Sequence, residues 1–280
     1  MNRIQLKKML EQFFIEDIGN GDLSVQFLFS NTIGSGKLIA KEDGIFVGEA
    51  VISEGYQLLD SNVECTFFRK DGEVVQKGDV IASVQGKMEA LLTGERVILN
   101  VIQRLSGIAT LTNKAVQLLE NSETKICDTR KTTPGLRMLE KYAVRLGGGH
   151  NHRYGLYDGV MIKDNHIEFC GGITNAVQTV RNHVGHMVKI EVETETREQV
   201  LEAVEAGADV IMFDNRSPKE ILEFKKLVPP HIVTEASGGI SLENLAQYGE
   251  TGVDIISLGF LTHSARALDI SFNVGNKNTN

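Results

Sequence analysis

Between Arg130 and Lys163 the chain concentrates positive charge. Seven cations, Arg130, Lys131, Arg137, Lys141, Arg145, Arg153 and Lys163, stand against two acids, Glu140 and Asp158. The whole chain runs the other way, with 29 Lys and Arg, 37 Asp and Glu and a formal net charge of −8. A cationic cluster inside an acidic protein suits a substrate with several anionic groups, carboxylates or phosphates, that arginine forks and lysine point charges can pair. The stretch G-G-G-H-N-H-R (147–153) lies within it. His150, His152 and the later His166 have no zinc spacing, since neither an H-x-x-x-H pair nor a cysteine pair accompanies them. Arg153 and Lys163 would also repel a divalent cation. A plain polar loop and an anion pocket remain, and the flanking cations favour the pocket.

Two carboxylates belong beside these cations, Glu193 in E-V-E (191–193) and Asp214 in I-M-F-D-N (211–215). Carboxylates next to an anion pocket can hold Mg²⁺ against phosphate oxygens or stabilise a cationic transition state. Structural ion pairs are the plainer explanation for any single one. S-G-G (237–239) and S-L-G (257–259) can offer backbone N–H groups to a phosphate, though either alone is an ordinary turn.

The elements that must position these groups read as βαβα. Apolar strands are expected at 126–129, 159–163, 188–193, 209–214, 232–236 and 254–259. Helices are expected at 134–146, 173–184, 196–206, 217–227 and 241–249, the first with Thr133 as N-cap, Pro134 at its first position and Gly147 past its end. Alternation of this kind implies a parallel sheet covered by helices. No G-x-G-x-x-G follows the first strand, which weakens a dinucleotide fold. A TIM-like barrel short of the regular eight strands is the better fit, and such barrels build their sites at the strand C-termini. Those ends carry Thr129-Arg130-Lys131, Lys163, Glu193, Asp214, Glu235 leading to Ser237-Gly238-Gly239, and Ser257 with Gly259. Every expected strand ends in a group that binds or ionises.

Before residue 110 the pattern differs. Short β-like runs at 36–41, 63–68, 73–75 and 80–84, with D-G at 71–72 and K-G-D at 77–79, suggest a meander or small barrel. The string D-G-E-V-V-Q-K-G-D-V-I looks like a turn of a lipoyl carrier but lacks an M-K-M tip, so hairpin geometry is expected. A helix over G-E-R-V-I-L-N-V-I-Q-R-L-S-G-I-A-T (94–110) carries Arg96, Asn100 and Arg104 on one face. A solvated face explains such a stripe; so does a helix that lends Arg104 to a ligand. Domains are therefore expected at 1–110 and 111–268, followed by a C-terminal segment and polar tail at 269–280, the last residues frayed.

Composition excludes other classes. The acidic balance argues against nucleic acid or membrane-surface binding, and no apolar run approaches the ~18 to 20 residues of a membrane span. The amphipathic start M-N-R-I-Q-L-K-K-M-L has no signal-peptide core. Cys65, Cys127 and Cys170, odd in number and widely spaced, fit a reducing cytoplasm.

The string D-T-R-K-T-T-P-G-L-R-M-L-E-K-Y-A-V-R-L-G-G-G-H-N-H-R-Y-G-L-Y-D-G-V-M-I-K-D-N-H-I closely resembles the quinolinate phosphoribosyltransferases. The likeness extends through E-D-I-G-N-G-D (16–22), Q-R-L-S-G-I-A-T (103–110), E-V-E, I-M-F-D-N, E-A-S-G-G-I (235–240) and S-L-G-F-L-T-H-S (257–264). It implies an N-terminal α/β sandwich, an incomplete α/β barrel and a homodimer whose sites are completed by the neighbouring N-terminal domain. Carried over, Arg104 reaches across that interface. Thr129, Arg130, Lys131, His152, Arg153 and Lys163 surround the quinolinate carboxylates and nearby phosphates. Glu193 and Asp214 meet the ribose hydroxyls and Mg²⁺ of phosphoribosyl pyrophosphate, and with Lys131 and Lys163 form the catalytic set. Ser237, Gly238, Gly239, Leu258, Gly259, Phe260 and His263 take the 5-phosphate region; Phe260 is a departure, since many relatives carry a smaller residue there. A related enzyme with another ring-acid acceptor, a Schiff-base aldolase using Lys163 and a carrier module are the alternatives.

Overall fold

A computed structural model of the chain describes residues 1–29, 32–119 and 122–275. The last five residues of the tail, where fraying is expected, lie outside the described residues. The chain divides into two compact units. One comprises Met1–Leu111, Met138–Gly147 and the described residues from Ala265; the other comprises Thr112–Arg137 and Gly148–Ser264. The units are thus not contiguous in sequence, as the stretches 1–110, 111–268 and 269–280 are.

In the first unit an antiparallel sheet runs in the order Ile270–Gly275, Ile33–Ala40, Val80–Lys87, Glu64–Phe67. Burial along Ile33–Ala40 alternates, as it must where one face of a strand meets a core. The C-terminal segment therefore begins with a strand, not a loose end, because Ile270–Gly275 pairs with Ser35–Ala40. Val74–Val75 pairs with Gly44–Ile45 and not with Val80–Lys87, so the expected hairpin is absent. Its D-G turn has another use: Asp71 Oδ1 accepts the N–H groups of Gly48 and Glu49 at 2.6 and 2.9 Å, capping the helix Glu49–Leu59.

The helix expected at 94–110 runs from Met88 to Gln117. Val97, Ile98, Leu99, Ile102, Leu105 and Ile108 are buried along it, each worth roughly 1.5–3 kcal/mol on leaving water. Arg96 and Asn100 are exposed, while Arg104 is half-buried. Gly107 is required there, since a Cβ would lie 2.0 Å from the Arg266 carbonyl oxygen.

In the second unit a parallel sheet runs in the order Lys125–Cys127, Ile255–Ser257, Val233–Ser237, Val210–Asp214, Ile190–Thr194, Val160–Ile162. These are the six expected strands, with ends shifted by one or two residues. The first and last in this order stand at the two edges, so the barrel is incomplete among the described residues. Helices Ile173–Arg181, Arg197–Glu205, Pro218–Lys225 and Leu245–Gly249 follow the strands. Capping boxes Thr196–Gln199 and Ser217–Glu220 start two of them. Two short helices, Asp164–Cys170 and Phe260–His263, are additional. The helix expected at 134–146 begins only at Arg137. Gly135 has φ +84° and Leu136 donates to the Thr133 carbonyl, so Pro134 opens a turn instead of a helix. At its far end the left-handed residue is Gly148, φ +92°, not Gly147. No helix among the described residues is long and apolar enough to cross a membrane.

Candidate active site

The pleat of a strand turns every second side chain to one face. It pairs Glu191 with Glu193, Met212 with Asp214 and Glu235 with Ser237, and sets Met161 two residues before Lys163. The outer groups and the loops after them enclose a cavity of about 420 Å³ at the C-terminal ends of the strands. Thr129, Arg130, Lys131, His152, Arg153 and Lys163 line it, together with Glu193, Asp214, Ser237, Gly238 and Gly239. Residues separated by more than a hundred positions thus share one site.

The loop 147–153 is held by a residue that its own composition does not reveal. Asp128, fully buried, accepts from the Asn151 amide at 2.6 Å through one oxygen and from the His152 N–H at 2.8 Å through the other. His150 extends the sheet edge: its N–H donates to the Ile126 carbonyl and its carbonyl accepts from Asp128 N–H. His166 caps the helix Asp164–Cys170, its Nδ1 accepting the Lys163 N–H at 3.0 Å. Two of the three histidines, His150 in the loop and His166 beyond it, therefore have backbone and capping duties.

Lys163 Nζ lies 2.5 Å from Glu193 Oε1. Burial raises the Glu193 carboxyl above its ordinary range, with Asp214 and Glu191 adding to the effect and Lys163 opposing it. Lys163, paired with a carboxylate and partly exposed, does not suit a Schiff-base nucleophile, which needs a neutral, desolvated amine. Burial, then the charge of Arg130, lowers the affinity of Arg153 for its proton, while Glu191, Asp158 and Glu193 oppose this. Arg153 Nη1 donates to the Gly159 carbonyl at 2.7 Å.

Asp214 is oriented by its neighbour. Asn215 Nδ2 donates to Asp214 Oδ2 at 2.7 Å, and the Asn215 N–H donates to the Ser237 carbonyl at 2.8 Å. Asn215 has φ +53°, the left-handed region that asparagine tolerates better than most side chains. Gly238, φ +85°, lies against it, and a Cβ there would be 2.2 Å from Asn215 Oδ1.

Other expected groups sit differently. A Cβ on Gly259 would be 2.9 Å from Lys131 Cδ and 3.3 Å from the His263 ring, so these three lie together. The Thr262 hydroxyl donates to the Lys131 carbonyl at 2.8 Å. Leu258 is buried, with its N–H on the Cys127 carbonyl; Phe260, half-buried, starts the short helix. Neither lines the cavity. Arg104 belongs to the first unit, where its Nε and Nη2 donate to one oxygen of the buried Glu140 at 2.8 and 2.5 Å. Ser257, expected at its strand end, lines the cavity too, and so do Met161, Met212 and Asn215, which are not among the expected ligands. Strand alternation signals the two methionines, two residues before Lys163 and Asp214, and the D-N pair after a strand signals the asparagine.

Four cations and two carboxylates gathered at the ends of a parallel α/β sheet define an enzyme of anionic substrates. Family models for quinolinate phosphoribosyl transferase match the chain, the N-terminal domain over residues 22–106 and the C-terminal domain over 108–273. The chain belongs to this family. It is 60% identical over 274 residues to a probable nicotinate-nucleotide pyrophosphorylase (carboxylating) of Bacillus subtilis, covering 98% of this chain and 95% of that one. A Synechocystis protein of the same description is 44% identical, covering 95% and 91%. Among solved structures, the nicotinate-nucleotide pyrophosphorylase of Francisella tularensis superposes with a TM-score of 0.94 at 37% identity, covering 98% of both chains.

Proposed function

We propose that this protein transfers the phosphoribosyl group of phosphoribosyl pyrophosphate to quinolinate with decarboxylation, in the synthesis of NAD. The observation that carries the reading is the single cavity in which Arg130, Lys131, Arg153 and Lys163 meet Glu193, Asp214 and the Ser237–Gly239 turn, in a chain of this family. The quinolinate nitrogen forms a bond to ribose C1 as the bond from C1 to pyrophosphate breaks, the electron pair leaving with pyrophosphate. The C2–carboxylate bond then breaks, its pair staying at C2 as an ylide that the adjacent cationic ring nitrogen stabilises. A proton taken up at C2 completes nicotinate mononucleotide and CO₂.

Each step needs charge in a fixed place. Arg130 and Arg153 bind the quinolinate carboxylates. Lys131 and Lys163 stand over the departing phosphates, with Lys163 oriented by Glu193. Glu193 and Asp214 hold the ribose hydroxyls and stabilise positive charge at C1. The Ser237–Gly239 turn, with Gly259 and His263 beside Lys131, takes the 5-phosphate, Leu258 and Phe260 setting the backbone there. Glu193 and Asp214 also suit Mg²⁺, being two hard-oxygen groups that line one cavity. When bound, Mg²⁺ neutralises pyrophosphate.

The chain acts as a cytoplasmic homodimer in which Arg104 completes the neighbouring copy's site. Three free cysteines suit a reducing compartment. The paired grip of Glu140 on Arg104 keeps that guanidinium in one orientation, as a fixed ligand requires. Incubating the purified chain with quinolinate, phosphoribosyl pyrophosphate and Mg²⁺ tests the reaction. Nicotinate mononucleotide, pyrophosphate and CO₂ in equal amounts are expected; turnover of another ring acid alone would redirect the reading to a related acceptor.

A further inference from the structure

Beneath the cavity lies a polar cluster that phosphoribosyl transfer leaves without a task. Glu191 and Glu235 are buried, and each has one carboxylate oxygen with no hydrogen-bond partner among the described residues. His152 Nε2 lies 3.1 Å from Glu191 Oε2 and 3.6 Å from Glu235 Oε2. Donor types and spacing would allow a metal ion. The other ring nitrogen argues against one. His152 Nδ1 accepts the backbone N–H of Arg153 at 2.8 Å. A neutral imidazole has one lone pair and one N–H. With the lone pair committed at Nδ1, the proton is on Nε2, which is then a donor and cannot ligate.

The same geometry bears on what His152 does for the site. Its Nε2–H points to two converging carboxylates, and burial together with Glu191 holds the Glu235 carboxyl above its ordinary range. Its N–H is held by Asp128. Its Nδ1 fixes the backbone of Arg153, whose side chain is tied in turn to the Gly159 carbonyl. We propose that His152 is a positioning residue of the anion pocket and not one of its ligands: clamped by Glu191 and Glu235 as the Nε2–H tautomer, it uses Nδ1 to set Arg153. The proposal rests on the cavity being the anion site, and it deepens that reading. The charged groups around the ring are Glu191 and Glu235 from two strands, Asp128 at the loop's base, Arg153, its neighbour Arg130, and Glu193.

The test is ¹⁵N NMR of the full chain, labelled in histidine and free of substrate, with His152 assigned through ring-to-backbone correlations. From about pH 6 to 8, the range in which an unperturbed histidine changes charge, Nε2 is expected to be protonated and Nδ1 unprotonated. An imidazolium, or a proton on Nδ1 alone, overturns the proposal. Because no substrate is present, this failure is distinct from an absence of nicotinate mononucleotide, which would sink the function. Kinetics give a second readout. His152→Asn keeps an acceptor near the Nδ1 position and should retain kcat/KM for quinolinate within a few-fold. His152→Gln, which keeps a donor near Nε2 but not that acceptor, should lose about tenfold, one hydrogen bond's worth of alignment. The reverse order, with an acid limb near about pH 6.5 that disappears in either variant, marks a ligand and overturns the assignment.

Discussion

Gly238→Ala should damage this protein more than Gly239→Ala, although the two glycines are adjacent in one turn. Both have left-handed backbone, φ +85° and +67°, so alanine costs each site about 1–2 kcal/mol of backbone strain. Only Gly238 adds a collision. Its new carbon would lie 2.2 Å from Asn215 Oδ1, 2.6 Å from Cγ and 3.0 Å from the Asn215 backbone nitrogen, whereas nothing lies within 4 Å at Gly239. The Asn215 side chain can relieve the clash only by swinging off Asp214 Oδ2, and the backbone contact presses on the bond to the Ser237 carbonyl. Overpacking and the loss of one charge-assisted hydrogen bond together put the extra cost at about 1.5–3 kcal/mol. Urea unfolding of the two variants reads this difference directly. Steady-state kinetics should add a second signature, a larger rise in KM for phosphoribosyl pyrophosphate with Gly238→Ala, because Asp214 is no longer held. Equal unfolding midpoints would refute the interlock of Gly238, Asn215 and Asp214.

Three further outcomes follow from other parts of the molecule. Arg104→Ala removes two hydrogen bonds from the buried Glu140 and should cost about 2–3 kcal/mol of stability. It should also abolish quinolinate turnover, and mixing it with Glu193→Ala copies should restore activity; no recovery in mixed dimers counts against a shared site. The Asp209 carboxyl lies below its ordinary range: burial works against ionisation, but Arg181, the Ile190 N–H and Lys189 outweigh it. A lowered carboxyl stabilises the fold above its unfolded pKa and loses that contribution as pH falls through the folded value. Asp209→Asn should therefore cost about 1 kcal/mol near neutral pH, after allowance for partial exposure, and nothing well below about pH 4; a pH-independent difference in urea midpoint would contradict this. Burial pushes the Cys65 thiol up to about 11, and Cys127 is buried while Cys170 is exposed. Iodoacetamide on the native chain should label Cys170 alone, and intact mass showing two rapid adducts would be inconsistent with that burial.

What was legible in the sequence depended on how far away each group's partner lies. The six parallel strands could be read because each is a local apolar run ending in a polar group, and the register then carries Lys163, Glu193, Asp214 and Ser237 to one rim. The strand Ile270–Gly275 could not, because its partner is Ile33–Ala40 at the other end of the chain. D-G at 71–72 has the composition of a hairpin turn, yet Asp71 caps a helix that starts earlier in the chain. Pro134 suits a helix start, but Gly135 takes a positive φ and postpones it.

His152 shows what residue type alone leaves open. Set among arginines and lysines, a histidine reads as one more cation aimed at an anion. Its direction is decided by carboxylates that alternation places in the same file: Glu191 two residues before Glu193, and Glu235 two before Ser237. In a barrel that file descends from the rim into the interior, so its second member is buried. A buried carboxylate must find a donor, and the nearest donor that fits is the ring of His152. Reading one layer below each strand end brings in the carboxylates that, on the assignment proposed above, hold the His152 ring. The same reading would have put Met161 and Met212 in the cavity wall, since they occupy the equivalent places below Lys163 and Asp214.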